Sequence, residues 1–284
     1  MSKIKLAGMV TLYNPTDEDI KNIDTYIDDI DVLYVIDNTE GKDNKDRLPK
    51  NKKIKYIYQN ENVGVATALN MACEMAIKDG YKYLLTNDQD TTFKKDVVKN
   101  LKKVIEKEDI SKIGIVTPWH NTKLNLKKLT DGYDYPEYVM TSGNILNLDI
   151  WKKIGGFKDW FFIDGIDIEY GLNLKKHNYK ILRVNNLEID HNLGNIEHKK
   201  FLNTNYIIGN HNHIRRYYIA RNNHYIFDMY FDVAPHICWD IVGQRKFYKE
   251  ILLFEKNKIR KIIAMRRGLK DYKKGIKGKY PYRR

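Results

Sequence analysis

The sequence contains little cysteine, little proline and no long apolar run. Its 2 cysteines among 284 residues are too few for a disulfide framework, which favours a chain that folds in a reducing cytosol. No segment reaches the roughly 18–20 consecutive apolar residues of a membrane-spanning helix. The apolar residues 6–13 end at an Asn-Pro pair rather than at a small-residue cleavage site, so they predict a strand and not a signal peptide. We therefore expect a cytoplasmic chain built on one generously sized α/β domain.

The positive charge is concentrated at the C-terminal end. The formal net charge is +13, and residues 245–284 carry 16 lysines and arginines against 3 acidic residues, while the preceding residues are balanced. The apolar residues of this tail that share one helical face, with basic residues opposite, are Phe247, Ile251, Phe254, Ile262, Met265 and Leu269. We expect such a helix to bind the anionic inner face of a membrane; the alternative is that it packs on the preceding domain. Nucleic-acid binding is not expected, because the rest of the chain is neutral.

Short apolar segments alternate with helix-like segments along the chain. The predicted strands of the first half are residues 4–13, 32–36, 54–58, 83–86 and 113–117, and its predicted helices are residues 17–29, 65–78 and 94–107. Further strands are expected at 139–148 and 180–184, and helices at 150–154, at 167–177 and from 212 onward. This alternation predicts a Rossmann-like, mostly parallel sheet flanked by helices. Such sheets bind their ligands at the carboxyl ends of the strands.

Two aspartates one residue apart follow the fourth predicted strand. Asp88 and Asp90 stand at its carboxyl end, where paired carboxylates supply oxygen ligands to a hard cation and leave positions for phosphate oxygens. The pattern by itself is weak, because any turn can carry two aspartates. Its place at a strand end in an alternating fold favours a Mg²⁺ or Mn²⁺ site.

Two further segments combine acidic, aromatic and imidazole side chains. Asp164 and Asp167 lie in an aromatic segment at the start of a predicted helix. In the first turn of that helix, Asp167 can act as a capping group or as a general base whose pKa is tuned by its apolar surroundings. His191 follows an apolar segment and precedes Gly194, so it is either a metal ligand or a packed side chain.

With these motifs in this order, the sequence resembles the inverting GT-A glycosyltransferases of the large family that includes bacterial rhamnosyltransferases. The resemblance covers residues 4–230 and rests on VTLYNP (10–15), IDN (36–38), NENVG (60–64), ALN (68–70), NDQDT (87–91), TSGN (141–144), IGGF (154–157), the acidic segment 162–169 and HNLG (191–194). It implies a nucleotide-sugar-binding GT-A catalytic domain at residues 1–211, with a donor half at 1–118 and an acceptor half at 119–211. A helical, basic extension would follow at 212–284.

The resemblance also implies roles for individual residues. Those that it assigns to the donor nucleotide are Thr11, Asn14, Asp37, Asn62, Gly64 and Asp88. Those that it assigns to the metal are Asp88, Asp90 and His191. Asp167 would be the catalytic base, with Asp164 as the reserve candidate. The sequence departs from the family pattern at Ile166, where a glutamate is frequent, and at Asn173, where an arginine is usual, which leaves the register of the base open.

The implied chemistry is the transfer of a sugar, with inversion, from a nucleotide diphosphate to an acceptor hydroxyl. The favoured donor is dTDP-rhamnose and the second is a UDP-hexose; the acceptor is a saccharide or a lipid-linked molecule of bacterial cell-surface polysaccharide synthesis. Arg215 and Arg221 are expected to bind phosphate; the alternative is a packed helix with solvated arginines. A nucleotidyltransferase or a nucleotide-sugar hydrolase is the rival activity, because it needs the same pocket. Whether copies assemble into a homo-oligomer stays open.

Overall fold

The computed structural model of the protein describes residues 4–122, 130–191, 196–201 and 204–282. Its strands, in chain order, are β1 (Ala7–Leu12), β2 (Val32–Asp37), β3 (Ile54–Tyr58), β4 (Tyr83–Asp88), β5 (Thr91–Phe93), β6 (Ile113–Asn121), β7 (Tyr133–Asp134), β8 (Asn144–Asn147), β9 (Lys180–His191), β10 (Glu197–Phe201) and β11 (Thr204–Ile208). Its helices are α1 (Asp17–Asn22), α2 (Val65–Lys78), α3 (Val97–Lys107), α4 (Leu148–Lys153), α5 (Ile166–Lys176), α6 (His213–Tyr230), α7 (Pro235–Val242), α8 (Gln244–Phe254) and α9 (Lys258–Lys273).

The main sheet has the strand order β3-β2-β1-β4-β8-β6-β9-β5. The strands from β3 to β4 are parallel, β8 is antiparallel to both of its neighbours, and β9 is parallel to β6. Alternate residues of β2 enter two apolar cores: Tyr34 and Ile36 pack with α2, whereas Leu33 and Val35 pack with α3. Because helices cover both faces, every residue of β2 is buried. The predicted mostly parallel, helix-flanked sheet is confirmed.

The first helix is shorter than the predicted helix at 17–29. α1 ends at Asn22, and 3-10 turns at Ile23–Thr25 and Ile27–Asp29 continue the segment. The Thr25 hydroxyl donates a hydrogen bond to the Asn22 carbonyl at 2.6 Å and accepts one from the Phe93 N–H at 3.2 Å. A side chain that captures a local carbonyl competes with helix continuation, which accounts for the early end.

The strand predicted at 139–148 forms only over its last part, and the strand predicted at 180–184 is longer. Before β8 begins, the Thr141 carbonyl accepts from the Thr86 hydroxyl at 2.5 Å, and the Gly143 N–H donates to the Thr86 carbonyl at 2.7 Å. These bonds hold residues 141–143 in a loop against the end of β4. β9 continues to His191, which carries that histidine from the core to the same edge of the sheet.

The C-terminal helices pack on the preceding domain. Ile251 of α8 and Met265 of α9 are buried against Ala220 of α6. Gly268 lets α9 approach α6 closely, since an added Cβ would lie 2.4 Å from the Tyr217 carbonyl oxygen. The alternative expected for this apolar face, packing on the domain, is therefore confirmed, and contact of the basic side of the tail with a membrane stays a prediction.

The predicted domain boundaries do not coincide with breaks in the fold. Residues 118 and 119 both lie inside β6, so the predicted donor and acceptor halves share a strand. Ile226 and Tyr230 of α6 belong to the same apolar core as the sheet. The helical extension that begins at residue 212 therefore shares an apolar core with the preceding domain. The predicted boundaries stay predictions. Within the described ranges, no helix is long and apolar enough to cross a membrane.

Candidate active site

A pocket of about 510 Å³ opens at the carboxyl ends of the strands, where the sheet topology predicts a binding crevice. The residues singled out from the sequence that line it are Asp88, Asp90, Asp164, Asp167, His191 and Arg215. These side chains come from β4, from the turn after it, from the end of β9, from the start of α5 and from α6. The fold therefore brings together groups that are far apart in the sequence.

Asp88, Asp90 and His191 form one group, which we call the metal cluster. Thr91 pairs with His191 in the sheet, which places the imidazole beside both carboxylates. The His191 Nε2 lies 3.3 Å from Asp90 Oδ1 and 3.6 Å from Asp88 Oδ2, and the potential ligand atoms all lie within 4.8 Å of one another. Two carboxylates and an imidazole suit a divalent cation such as Mn²⁺ or Mg²⁺.

The charge state of the metal cluster follows from burial and mutual repulsion. Burial raises the pKa of Asp88, and the charge of Asp90 raises it further, against the opposing effect of His191. Burial tends to lower the pKa of His191, but the hydrogen bond to Asp90 and the charges of both aspartates prevail and raise it. Crowded carboxylates of this kind are stabilised by a cation, and the residues present fit one.

A network behind the cluster fixes its backbone. The Ser142 hydroxyl accepts from the Asp88 N–H at 2.9 Å and lies 2.5 Å from the Thr91 hydroxyl. His120 Nε2 lies 2.6 Å from the Ser142 carbonyl, and burial lowers the pKa of this histidine to about 4. Ser142 belongs to the TSGN segment of the sequence but was not predicted to bear on the aspartates, because the contact spans 54 residues.

Residues 160–167, which we call the base loop, carry the two candidate bases. Phe162, Asp164 and Gly165 have positive φ values of 68°, 64° and 80°, a conformation that only outside support maintains in non-glycine residues. Asn222 of α6 supplies it: its Nδ2 donates to the carbonyls of Phe161, Ile163 and Asp164 at 3.0, 2.9 and 2.8 Å.

The two carboxylates of the base loop have different surroundings. Asp164 pairs with Arg215, whose Nε and terminal nitrogen lie 3.1 and 2.5 Å from its Oδ1. Burial raises the pKa of Asp167 to about 6, and the charges of Asp164 and Asp88 add to the rise. No lysine or arginine within the described ranges forms an ion pair with Asp167. Asp167 is thus ionised near neutral pH and more basic than an ordinary aspartate.

The predicted nucleotide residue Asp37 is fully buried at the end of β2. Its carboxylate accepts hydrogen bonds from the Thr39 N–H at 2.9 Å, from the Asn44 side chain at 2.9 Å and from the Tyr56 hydroxyl at 2.6 Å. Burial tends to raise its pKa, but these donors prevail and lower it. Asp37 therefore holds the loop after β2, and a direct contact with a ribose would have to displace a protein donor.

The other predicted nucleotide residues surround the same loops. Asn14 has a positive φ of 48°, and its N–H donates to the Thr39 hydroxyl at 2.9 Å, while Thr11 pairs with Asp88 in the sheet. The Asn62 Oδ1 accepts from the Gly64 N–H at 3.0 Å, which forms the predicted turn. These placements leave the assignments to the donor nucleotide as predictions.

Gly64 is required by a protein contact and not only by a ligand. Its φ is 89°, and an added Cβ would lie 2.7 Å from the Phe162 carbonyl oxygen. The neighbouring Val65 N–H donates to that same carbonyl at 2.8 Å. The turn before α2 is therefore in direct contact with the base loop, which carries the two candidate bases.

Of the two predicted phosphate-binding arginines, only Arg215 faces the pocket. Arg221 is fully buried, and its guanidinium donates to the carbonyls of Gly278 at 2.6 Å and Trp160 at 3.0 Å. Arg221 fastens the base loop and the chain after α9 to α6, and its assignment to phosphate stays a prediction without support from this placement. The residues after His191 in the HNLG segment, 192–194, lie outside the described residues.

His211 also lines the pocket and was missed in the sequence. Burial lowers its pKa to about 4, with the charge of Arg215 contributing, so its ring is neutral at physiological pH. Asn222 was missed as well, although a signal existed. It lies seven residues after Arg215, which places both on one face of a helix.

Known proteins share this sequence and fold. Residues 18–169 match the family described as "Glycosyl transferase family 2". The dTDP-rhamnosyl transferase RfbF of Shigella flexneri is 24% identical over 234 residues, which cover 76% of this chain and 77% of that protein. The crystal structure of GalNAc-T7 with UDP, GalNAc and Mn2+ superposes with a TM-score of 0.55 at 12% identity over 66% of this chain and 44% of that one, so the chain spans less than half of its length. Because the family match covers more than half of the sequence and the fold agrees, the chain belongs to glycosyl transferase family 2 and has the GT-A fold.

Proposed function

We propose that this glycosyltransferase moves rhamnose, with inversion, from dTDP-rhamnose to a hydroxyl of a saccharide or lipid-linked acceptor in bacterial cell-surface polysaccharide synthesis. The observation that carries the proposal is the convergence of the metal cluster and Asp167 on one pocket. A cation ligand set and a basic carboxylate are the two groups that an inverting displacement requires. The choice of rhamnose rests on the similarity to RfbF.

Asp88, Asp90 and His191 would hold Mn²⁺ or Mg²⁺ at the donor diphosphate. When bound, such a cation neutralises the charge that develops on the leaving nucleoside diphosphate. Arg215 adds a fixed positive charge to the same pocket, although Asp164 neutralises part of it. The donor side of the pocket is thus suited to a diphosphate.

Asp167 is the proposed general base. Its carboxylate takes the proton of the acceptor hydroxyl while that oxygen forms a bond to the anomeric carbon and the bond from this carbon to the diphosphate oxygen breaks. A pKa of about 6 keeps it ionised at neutral pH yet basic enough to accept the proton, and general-base catalysis contributes roughly 10²- to 10⁴-fold in rate. One displacement from the face opposite the leaving group inverts the anomeric centre.

A cytoplasmic position against the inner face of the membrane is also part of the proposal. The apolar face of the tail is packed, but basic side chains of α8 and α9 point to solvent, among them Lys258, Arg260 and Arg266. Ile259 beside them is 76% exposed. A lipid-linked acceptor would be reached from such a surface, and sedimentation with anionic but not with neutral vesicles would support it.

The donor is tested by thermal unfolding with a panel of nucleotide sugars, each with and without Mn²⁺. A ligand at 100 times its Kd stabilises the folded state by about 2.7 kcal/mol, so we expect dTDP-rhamnose with Mn²⁺ to raise the melting temperature by several degrees. Asp90→Ala is expected to abolish the metal-dependent shift, whereas Asp24→Ala, at an exposed aspartate outside the pocket, is expected to keep it.

Each outcome of this panel has a distinct meaning. Stabilisation by UDP-hexoses in place of dTDP-rhamnose would move the donor to that class. A metal-dependent shift that survives in Asp90→Ala would contradict the metal cluster. Release of free sugar without transfer to any acceptor would favour a hydrolase.

A further inference from the structure

Exposed tyrosines follow one another just before the loop that lines the pocket. Tyr133, Tyr135 and Tyr138 are 41%, 55% and 40% exposed, although large aromatic side chains usually contribute to cores or to binding sites. The same stretch of chain then continues to Met140 and Thr141, which line the pocket beside Asp167. A row of open aromatic rings thus leads up to the proposed catalytic base.

The segment that contains Tyr138 packs along helix α5. Asp167, Gly171 and Lys175 are four residues apart and so share one face of that helix. A Cβ added to Gly171 would lie 2.5 Å from the Glu137 carbonyl oxygen and 2.7 Å from the Cβ of Tyr138. Tyr138 therefore stands beside Gly171, four residues or about 6 Å along α5 from Asp167.

Glu137, between Tyr135 and Tyr138, is held by the next turn of α5. The Glu137 carboxylate forms an ion pair with Lys175 and lies 2.6 Å from His236 of α7. A second cavity, of about 460 Å³, begins there and is lined by Tyr135, Glu137 and Lys175. Lys180 covers the ring of Tyr135 from one side, with its Nζ 5.2 Å from the centroid.

The surface between Asp167 and this cavity has the chemistry of a saccharide site. Aromatic rings stack on the apolar faces of sugar rings, and nearby carboxylate, ammonium and imidazole groups bind the hydroxyls. Glu137, Lys175 and His236 supply these groups. Burial, with the charges of Asp167 and Asp240, raises the pKa of Tyr138, which agrees with a ring that lies close to the base.

We propose that Tyr138 and Tyr135 form the acceptor subsite, a strip along α5 that binds a saccharide of two or more units. Tyr138 stacks on the sugar whose hydroxyl faces Asp167, and Tyr135 contacts the next unit, with Glu137 and Lys175 at its hydroxyls. The proposal rests on the glycosyltransferase function above, because it needs Asp167 as the base. It predicts that the enzyme recognises a saccharide acceptor and not a lone lipid phosphate.

The test is saturation-transfer NMR on the full chain with dTDP, Mg²⁺ and a panel of methyl glycosides and disaccharides of hexoses and 6-deoxyhexoses. We expect at least one disaccharide to bind the wild type. Tyr138→Ala is expected to weaken that binding about tenfold, which corresponds to about 1.4 kcal/mol, because the stacking contact is lost, while Tyr138→Trp retains it. Tyr133→Ala is the matched control, because this equally exposed tyrosine bonds Glu108 at 3.1 Å and lies opposite Val184 of β9 and not beside α5.

The result also separates this proposal from the function on which it depends. Stabilisation by donor and metal is expected to be the same in Tyr138→Ala as in the wild type, which also shows that the variant is folded. If the wild type binds donor but binds none of the saccharides, or if Tyr138→Ala and Tyr133→Ala bind them equally, the subsite is overturned and the enzyme assignment stands. Loss of donor stabilisation in the wild type would instead overturn the proposed function.

Discussion

The metal cluster and the base loop line the same pocket but are held in place by different parts of the chain. The cluster lies at strand ends, where the pairing of Thr91 with His191 and of Thr11 with Asp88 sets the spacing of its ligands. The base loop has positive φ at three of its residues and is held by Asn222, 58 to 61 residues further along the chain. The sheet therefore places the candidate metal ligands by register, whereas a later helix places the proposed catalytic base.

The two regions also differ in how their negative charge is balanced. Within the base loop, Asp164 is paired with Arg215, so that charge is balanced by the protein. Within the metal cluster, a histidine beside two aspartates is the nearest basic group, and burial raises the pKa of Asp88. We therefore expect a bound cation to stabilise the metal cluster, whereas the ion pair of Asp164 with Arg215 in the base loop needs no ligand. Substitutions in each region should then have separable effects.

The largest effect on kcat is expected for Asp167→Asn. Loss of the general base should lower kcat by about 10²- to 10⁴-fold, while the donor-induced rise in melting temperature is kept because the metal cluster is intact. The measurement is the initial rate of nucleoside diphosphate release with acceptor present. In the wild type this rate should rise with pH through about 6, as Asp167 loses its proton, and the residual rate of the variant should lack that step.

Asp164→Asn is the companion to this experiment. It leaves the Arg215 guanidinium without its carboxylate and is expected to lower stability. The pH step of Asp167 should persist but move to lower pH, because the charge of Asp164 helps to raise the pKa of Asp167. If Asp167→Asn instead turns over normally and Asp164→Asn loses the step, the base is Asp164, and the ion pair with Arg215 must open in the working enzyme.

An intermediate effect is expected where the two regions touch, at Gly64. Gly64→Ala places a side chain at a φ of 89° and within 2.7 Å of the Phe162 carbonyl, so the base loop has to shift. We expect kcat to fall about tenfold or more, since small displacements of catalytic groups are costly. Gly80→Ala is a matched control, because Gly80 has a similar φ of 82° with nothing within 4 Å of the added Cβ.

Both alanine variants should lose about 1–3 kcal/mol of stability through backbone strain, measured by chemical unfolding. The activity difference between them then reports the contact with Phe162 and not the strain. Equal activity in the two variants would show that the base loop does not depend on the turn before α2, and that the two regions act independently.

The contrast between the regions also explains what could be predicted from the sequence. Asp88 and Asp90 were predictable because a short apolar segment marks a strand, and the end of a strand in an alternating fold marks the crevice. The same reasoning predicted the sheet itself. It left the packing of the tail open, because an apolar helical face looks the same whether it packs on α6 or lies on a membrane, and only the three-dimensional contacts of Ile251 and Met265 decide.

Helical geometry predicts that the two arginines of α6 cannot both face the pocket. Arg215 and Arg221 are six residues apart, which turns them by about 240° on a helix, so they face in different directions. One reaches Asp164 in the pocket, and the other bonds the carbonyls behind the base loop. In contrast, no local signal in the sequence connects Ser142 to Asp88, because that contact exists only after β4 and β8 pair.

The smallest effect is expected at Glu169, which shares α5 with Asp167 but points into the core. It is fully buried, accepts from the Tyr230 hydroxyl at 2.5 Å, and has its pKa raised by burial to about 7. Because the folded state holds this proton more tightly than the unfolded state, the glutamate lowers stability as pH rises from about 4.5 to 7. Glu169→Gln should therefore gain on the order of 1–3 kcal/mol at pH 8 and little at pH 5, measured by chemical unfolding, with kcat unchanged. A loss of kcat equal to that of Asp167→Asn would mean that both carboxylates of α5 with a raised pKa serve the reaction, whereas we propose that role only for Asp167, which faces the pocket.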